Sequence, residues 1–124
     1  MKPSPSVFPF RPYSNDADLK TGDAMIKHIV MWRLRASAEG ADRAENAVRM
    51  KQMLEALPAK IPEIGKLEVG IDMGRTEGAY DIVVCAEFES AAALERYQEH
   101  DAHLEAAKFI QNIREDRASV DYEA

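Results

Sequence analysis

The chain has 124 residues, 46% of them hydrophobic, which is enough for one domain with a sizeable core. Its 22 acidic and 16 basic residues give a formal net charge of −6, which argues against nucleic acid and, more weakly, against anionic membranes as partners. No apolar stretch reaches the ~20 residues of a membrane helix. The single cysteine, Cys85, excludes an internal disulfide, and we expect a cytoplasmic protein.

Residues 1–24 are predicted to form a proline-rich N-terminal extension. They hold four of the six prolines, at positions 3, 5, 9 and 12. Proline fixes φ and lacks a backbone donor, so we expect this segment to be extended and irregular. A second interpretation is that translation starts at Met25. In both cases the predicted folded domain covers residues 25–124.

The first half of that domain predicts a strand, a helix and a second strand. The segment "IKHIVMWRLR" (26–35) is rich in β-branched and aromatic residues, which favour a strand. The segment "ADRAENAVRMKQMLEALP" (41–58) predicts a helix, because apolar residues recur at helical spacing and Pro58 helps to end the run. The segment "KLEVGIDMG" (66–74) alternates, with one face formed by Leu67, Val69, Ile71 and Met73.

The second half predicts a strand, two helices and a last strand. The segment "YDIVVCAEFE" (80–89) has apolar residues on both faces of a predicted strand. Ser90 is the expected N-cap of "AAALERYQ", and Asp101 is the expected N-cap of "AHLEAAKFIQ". The segment "REDRASVDYE" (114–123) predicts a strand of mixed polarity.

This order, β-α-β-β-α-β with a divided second helix, predicts an α+β, ferredoxin-like subunit with an antiparallel sheet. The first and third main strands should lie in the centre, since both are apolar on two faces. The helices can cover only one face of the sheet, which leaves the other face uncovered; it carries Ile29, Met31, Val83 and Cys85. We therefore expect a homodimer that packs sheet to sheet.

Five side chains are candidates for a site between the helices and the sheet: His28, Trp32, Tyr97, His100 and His103. Helical spacing points Tyr97 and His103 at the sheet, and His28 shares a strand face with Trp32. Histidine and tyrosine together suit acid–base chemistry. A structural interpretation stays open, in which His100 caps a helix while the other rings only pack. The histidine spacing matches no metal signature, so we predict no metal. No sequence motif of a catalytic nucleophile is present, so we do not expect nucleophilic catalysis.

Several segments together resemble the stress-responsive α/β-barrel (Dabb) family, over about residues 25–123. They are "MIKHIVMWRLR" (25–35), "LEVGID" (67–72), "YDIVVCAEFES" (80–90), "YQEHDAH" (97–103) and "REDRASVDYE" (114–123). The resemblance implies a dimeric α/β barrel. Through olivetolic acid cyclase-type relatives it implies a cofactor-free site with Tyr97 and His103 as the catalytic pair and His28 in the pocket. The family usually has proline where this chain has Asp101, whose charge we expect to raise the pKa of the histidines.

These observations favour a dimeric protein that binds a small, partly apolar carbonyl compound. If it is an enzyme, we expect cofactor-independent acid–base catalysis of the aldol, cyclase or lyase type, with His103 and Tyr97 as the catalytic pair. The pocket would also include His28, His100 and Trp32. One alternative is a non-catalytic stress-response protein with a structural role. Another is a cofactor-free monooxygenase-like enzyme.

Overall fold

A computed structural model describes residues 24–124, so the predicted extension lies outside the described residues except for Ala24. In chain order the elements are β1 (Ile26–Leu34), β2 (Ser37–Ala38), β3 (Ala41–Asp42), α1 (Arg43–Glu55), a 3-10 turn (Leu57–Ala59), β4 (Lys66–Ile71), β5 (Ile82–Phe88), α2 (Ala91–Glu99), α3 (Asp101–Ile113) and β6 (Arg114–Glu123). No helix within this range is long and apolar enough to cross a membrane.

The four long strands form one antiparallel sheet in the order β4-β5-β1-β6. The two strands with apolar residues on both faces, β1 and β5, occupy the centre, as their composition predicted. Across that centre Ile29 lies opposite Cys85, and on the other side of β1 His28 lies opposite Asp121. The ladder between β1 and β6 is interrupted by a bulge near Leu34. The predicted ferredoxin-like α+β fold is confirmed.

Helix α1 begins two residues later than the predicted helix and ends earlier. Asp42 is its N-cap, and Asp42 and Glu45 form a reciprocal capping box with bonds of 2.8 and 3.1 Å. The residues before the cap form the short β2–β3 hairpin instead. Its turn residues, Glu39 and Gly40, both have positive φ, which is the conformation of a tight type I′ hairpin turn.

The junction between α2 and α3 differs from the sequence prediction in one residue. Ser90 caps α2 as expected, because its hydroxyl accepts from the Ala93 amide at 3.1 Å. Asp101, however, is not the cap of α3. The N-cap is His100, whose Nδ1 accepts from the Ala102 amide at 3.0 Å, and Asp101 is the first helical residue. An acidic side chain there still favours the helix through the macrodipole.

Strand β4 is shorter than predicted and ends at Ile71. Asp72 then turns the chain, since its carboxylate accepts from the Gly74 amide at 2.8 Å. Met73 is 78% exposed. The prediction that Met73 continues the strand face of Leu67, Val69 and Ile71 is therefore wrong, because the turn at Asp72 ends the alternation before that position.

All three helices pack on one face of the sheet, which we call the inner face. The buried residues of β1 on this face are Ile26, His28, Val30, Trp32 and Leu34, and β5 adds Ile82, Val84, Ala86 and Phe88. The opposite, outer face carries Ile29, Met31, Val83, Cys85, Ala118 and Val120, in directly paired positions of three strands. None of these six side chains is fully buried, and Met31 and Val120 are 38% and 53% exposed.

Candidate active site

A cavity of about 260 Å³ lies between the inner face of the sheet and the helices. Its lining is His28, Val30, Trp32, Leu54, Val84, Tyr97, Gln98, His103, Ala106, Ala107, Ile110, Gln111, Arg114 and Arg117. The apolar members are mostly buried, whereas Gln111 and Arg117 are exposed and mark the mouth. Apolar and polar side chains contribute about equally to this lining. A cavity in which polar groups converge beside an apolar wall is a common form of small-molecule site.

His28 lies deep in this cavity, on the central strand β1, and is 4% exposed. Its Nδ1 lies 2.6 Å from Oδ1 of Asp121, its direct neighbour on β6. A carboxylate can only accept, so the hydrogen of this bond is on Nδ1. The register of the sheet thus fixes both the orientation and the tautomer of this histidine.

Tyr97 projects from α2 into an aromatic group, and its side chain is nearly fully buried. Its ring centroid lies 4.5 Å from that of His103, 4.8 Å from that of Phe88 and 6.0 Å from that of His28. Burial raises the pKa of Tyr97 to about 12, because the phenolate would lose its hydration. The hydroxyl therefore stays protonated at neutral pH and can donate a hydrogen bond.

His103 reaches the cavity from the first turn of α3. Its Nδ1 lies 3.1 Å from the Gln98 carbonyl, which can only accept, so Nε2 is the basic nitrogen. Burial lowers the pKa of His103, the bond to Gln98 opposes this, and the nearby charges of His28 and Arg117 lower the pKa further. The expectation that Asp101 would raise this pKa is wrong for His103, because burial lowers the pKa and Asp101 is not among the groups that influence it.

The structure brings four of the five candidate residues together and leaves one apart. His28, Trp32, Tyr97 and His103 all line the cavity. His100 does not line it, because its ring is used to cap α3. Within residues 24–124, no group of three histidine, cysteine, aspartate or glutamate side chains is placed to hold a metal ion.

Sequence reasoning missed the polar residues that β6 contributes. Asp121 fixes His28, and Arg114 and Arg117 stand at the cavity, yet these residues look like ordinary charges on an edge strand. The alternation of "REDRASVDYE" predicted the strand but not which charges face inward. Which charges face inward depends on how β6 pairs with β1. This pairing is far from local, since His28 and Asp121 are 93 residues apart in the sequence.

The fold has counterparts in solved structures. A dimeric protein of unknown function with a ferredoxin-like fold, from Bacteroides fragilis, is 38% identical, with a TM-score of 0.68, over 81% of this chain and 96% of its own. A dimeric ferredoxin-like protein of unknown function from Thermobifida fusca is 28% identical, with a TM-score of 0.72, over 82% of this chain and 92% of its own.

A third similar structure is the hydroxynitrile lyase of Passiflora edulis. It is 18% identical, with a TM-score of 0.70, and the likeness covers 82% of this chain and 94% of the lyase. At that identity the likeness shows the fold alone. No curated protein matches the chain.

The sequence also matches a known family over nearly all of the described residues. The model of the stress responsive A/B barrel domain (Dabb) aligns with residues 26–124, from the first residue of β1 to the end of the chain. The match includes the α2–α3 junction with Tyr97 and His103, and the strand that carries Asp121. The chain belongs to the stress responsive A/B barrel domain family.

Proposed function

We propose that the cavity binds a small carbonyl compound and catalyses proton transfer next to the carbonyl group without a cofactor. His103 is the general base, Tyr97 is the donor to the developing oxyanion, and His28 assists. The observation that carries the proposal is the meeting of these three rings in one cavity, with centroid distances of 4.5 and 6.0 Å from Tyr97. Trp32 forms part of the wall that would hold the apolar part of the ligand.

The proposed step balances without a redox partner. Nε2 of His103 takes a proton from the carbon beside the carbonyl, and the C–H electron pair forms the double bond of an enolate. The carbonyl oxygen becomes negative, and the Tyr97 hydroxyl donates a hydrogen bond to it. The enolate carbon then attacks a second carbonyl, as in an aldol or cyclisation reaction, and His103 returns its proton to the new alkoxide.

The electrostatics of the free protein suit these roles. The lowered pKa of His103 keeps its ring neutral at pH 7, as a base must be, and the raised pKa of Tyr97 keeps its hydroxyl as a donor. Burial shifts the two pKa values in opposite directions, because it favours the neutral form of each group, the imidazole of His103 and the phenol of Tyr97. Asp121 positions His28 from outside the cavity lining.

Deuterium exchange tests the proposal without knowledge of the natural substrate. Acetophenone and cyclohexanone are incubated with the protein in deuterium oxide, and loss of the α-proton signal is followed by NMR. We expect the wild type to accelerate exchange and His103→Ala and Tyr97→Phe each to slow it by roughly 10²-fold. His100→Asn is the matched control, because that histidine lies three residues from His103 but outside the cavity lining, and asparagine can keep the N-cap of α3.

Two results would argue against this function. Exchange that is equally fast in wild type, His103→Ala and Tyr97→Phe would remove the catalytic assignment. The non-catalytic, structural alternative would be favoured by two results together. The wild type would not accelerate exchange, and His103→Ala would alter only the free energy of unfolding.

We further propose that the protein is a homodimer whose subunits pack through the outer faces of their sheets. The similar Bacteroides fragilis and Thermobifida fusca proteins are described as dimeric. The outer face offers contiguous apolar side chains on three strands, with Val120 53% and Met31 38% exposed. Monomeric proteins rarely leave such a surface in water.

A charge placed on the outer face should separate the subunits. Val120→Lys buries an unpaired ammonium in the proposed interface, and we expect the dimer dissociation constant to rise by at least about 100-fold. Val48→Lys is the matched control, since Val48 is similarly exposed, at 49%, but lies on α1. Light scattering at micromolar concentration gives the mass of each protein. A wild-type monomer would contradict the proposal.

We also propose roles for the first 24 residues and a cellular compartment for the protein. Residues 1–24 would be an extension to a domain of residues 25–124, and a protein that starts at Met25 should unfold at the same denaturant concentration as the full chain. We propose that the protein is cytoplasmic, because its one cysteine, Cys85, is free and the cytoplasm keeps thiols reduced. Cell fractionation that recovers the protein outside the cytoplasm would contradict this.

A further inference from the structure

We infer that the ligand of the cavity carries a carboxylate, and that Arg114 and Arg117 bind it at the mouth. This inference deepens the proposed function and rests on it, because it names the class of carbonyl compound: a small keto acid. Four observations on β6 and the cavity lead to it.

The first observation is the way in which the sheet directs both arginines inward. Arg117 lies opposite Trp32 in the β1–β6 ladder, on the inner face. A regular ladder would place Glu115 opposite Leu34 and turn Arg114 to the other face. The bulge instead places Arg114 opposite Leu34, and so both guanidinium groups line the cavity. Redirecting a side chain is a common use of bulges near functional sites.

The second observation is that both guanidinium groups are free to bind a ligand. Among residues 24–124, neither side chain takes part in any ion pair, although four such pairs involve other lysines or arginines. Asp116 lies close enough for the charge of Arg114 to help lower the Asp116 pKa. Its carboxylate already accepts from the Tyr80 hydroxyl at 3.0 Å and from the Arg117 amide at 2.8 Å.

The third observation is the charge of the cavity lining. The lining contains two arginines, two glutamines and two histidines, but no aspartate or glutamate. This contrasts with the whole chain, where acidic residues outnumber basic ones by 22 to 16. A positive lining within an acidic protein favours entry of an anion and repels a cation. Arginine also suits a carboxylate, since its planar fork matches two carboxylate oxygens.

The fourth observation links the arginines to the reacting groups. The charge of Arg117 helps to lower the pKa of His103, so the two lie within electrostatic reach. A carboxylate on Arg117 would offset that charge and make His103 a stronger base when ligand is bound. The cavity, at about 260 Å³, leaves room for only a small ligand between the arginines and Tyr97.

The test uses 4-oxo-4-phenylbutanoate and its amide, which share a phenyl group and a ketone but differ in charge. We expect calorimetric titration to give on the order of tenfold tighter binding of the carboxylate, since hydrogen bonds to charged groups are the stronger ones. Arg114→Gln and Arg117→Gln should each reduce this preference, and the double variant should abolish it. Added salt should weaken binding of the carboxylate alone.

The control variant is Arg75→Gln, which removes the same charge from an exposed loop residue outside the cavity lining. It should keep the full preference for the carboxylate. Folding of every variant is checked by circular dichroism, and the second readout is the His103 titration followed by NMR. Its pKa should rise when the carboxylate binds to wild type and should not rise with the amide.

The outcomes separate this inference from the proposed function. Equal binding of carboxylate and amide, or an unchanged preference in the double arginine variant, overturns the inference and leaves the carbonyl site standing. A carboxylate preference that depends on the arginines, but without any effect of His103→Ala on α-proton exchange, supports the inference and overturns the catalytic assignment. Failure of both compounds to bind at millimolar concentration overturns both.

Discussion

The two faces of strand β1 differ in a way that reverses the usual distribution of residues. On the inner face a histidine, His28, is 4% exposed, and its buried neighbours on that face are apolar. On the outer face Met31 is 38% exposed, and its apolar neighbours in the paired strands are only partly buried. A buried polar group and an exposed apolar patch are each the unusual case, and each requires a reason.

The two faces of β1 are covered in different ways. Helices of the same chain close the inner face incompletely and leave a cavity in which His28 is satisfied by Asp121. The outer face has no covering element within the described residues, and a second copy of the chain is the occupant we propose.

Truncation on the two faces should affect stability differently. Leu34 is fully buried on the inner face, and Leu34→Ala should lower the free energy of unfolding by about 2–5 kcal/mol at every protein concentration. Met31→Ala should cost less, and its cost should depend on protein concentration if a partner covers that side chain. Urea unfolding at two protein concentrations measures both. Equal, concentration-independent losses would contradict separate partners for the two faces.

The bond between His28 and Asp121 is the main polar contact of the inner face. Asp121→Asn removes the charge from a 2.6 Å bond whose carboxylate is 43% exposed, so we expect a loss on the order of 1 kcal/mol. Glu123→Gln removes the same charge two residues along the strand and should leave stability unchanged within about 0.5 kcal/mol. An Asp121→Asn variant as stable as the control would show that the pair contributes nothing measurable.

The pH dependence of stability should reveal the burial of His103. Its pKa is lower in the folded state than the ordinary value of 6.5, so the unfolded chain binds more protons in that range. Stability therefore falls as pH drops below about 6.5, until the folded pKa has been passed. His103→Gln lacks this dependence, so the stability of wild type relative to the variant should decrease toward pH 5. A constant difference from pH 8 to pH 5 would contradict the burial.

The smallest effect is expected at the start of α3. Asp101 is the first residue of α3, a position at which proline is well tolerated. His100 before it has φ −68° and ψ 139°, which suits a residue preceding proline. Asp101→Pro should change the free energy of unfolding by less than about 0.5 kcal/mol, because loss of the helix-dipole interaction offsets the gain in rigidity. Thermal unfolding measures it.

Secondary structure and the layer plan could be predicted from the sequence, because these depend on local periodicity. Alternation in "IKHIVMWRLR" and "YDIVVCAEFE" indicated central strands, and Ser90 indicated a helix start. The same periodicity also placed Tyr97 and His103 on inward faces. Where a side chain competed with the pattern the prediction failed, as at Asp42, His100 and Asp72, whose hydrogen bonds decide where helices begin and strands end.

The tertiary structure alone decided how the site is completed. The pairing of His28 with Asp121 depends on the register of β6 against β1, and a shift of one residue would place that carboxylate on the outer face. The inward direction of Arg114 depends on a bulge that no local pattern encodes. Residues that stand far apart in the chain meet only through sheet pairing, which is why composition showed an acidic protein and the structure shows a cationic cavity.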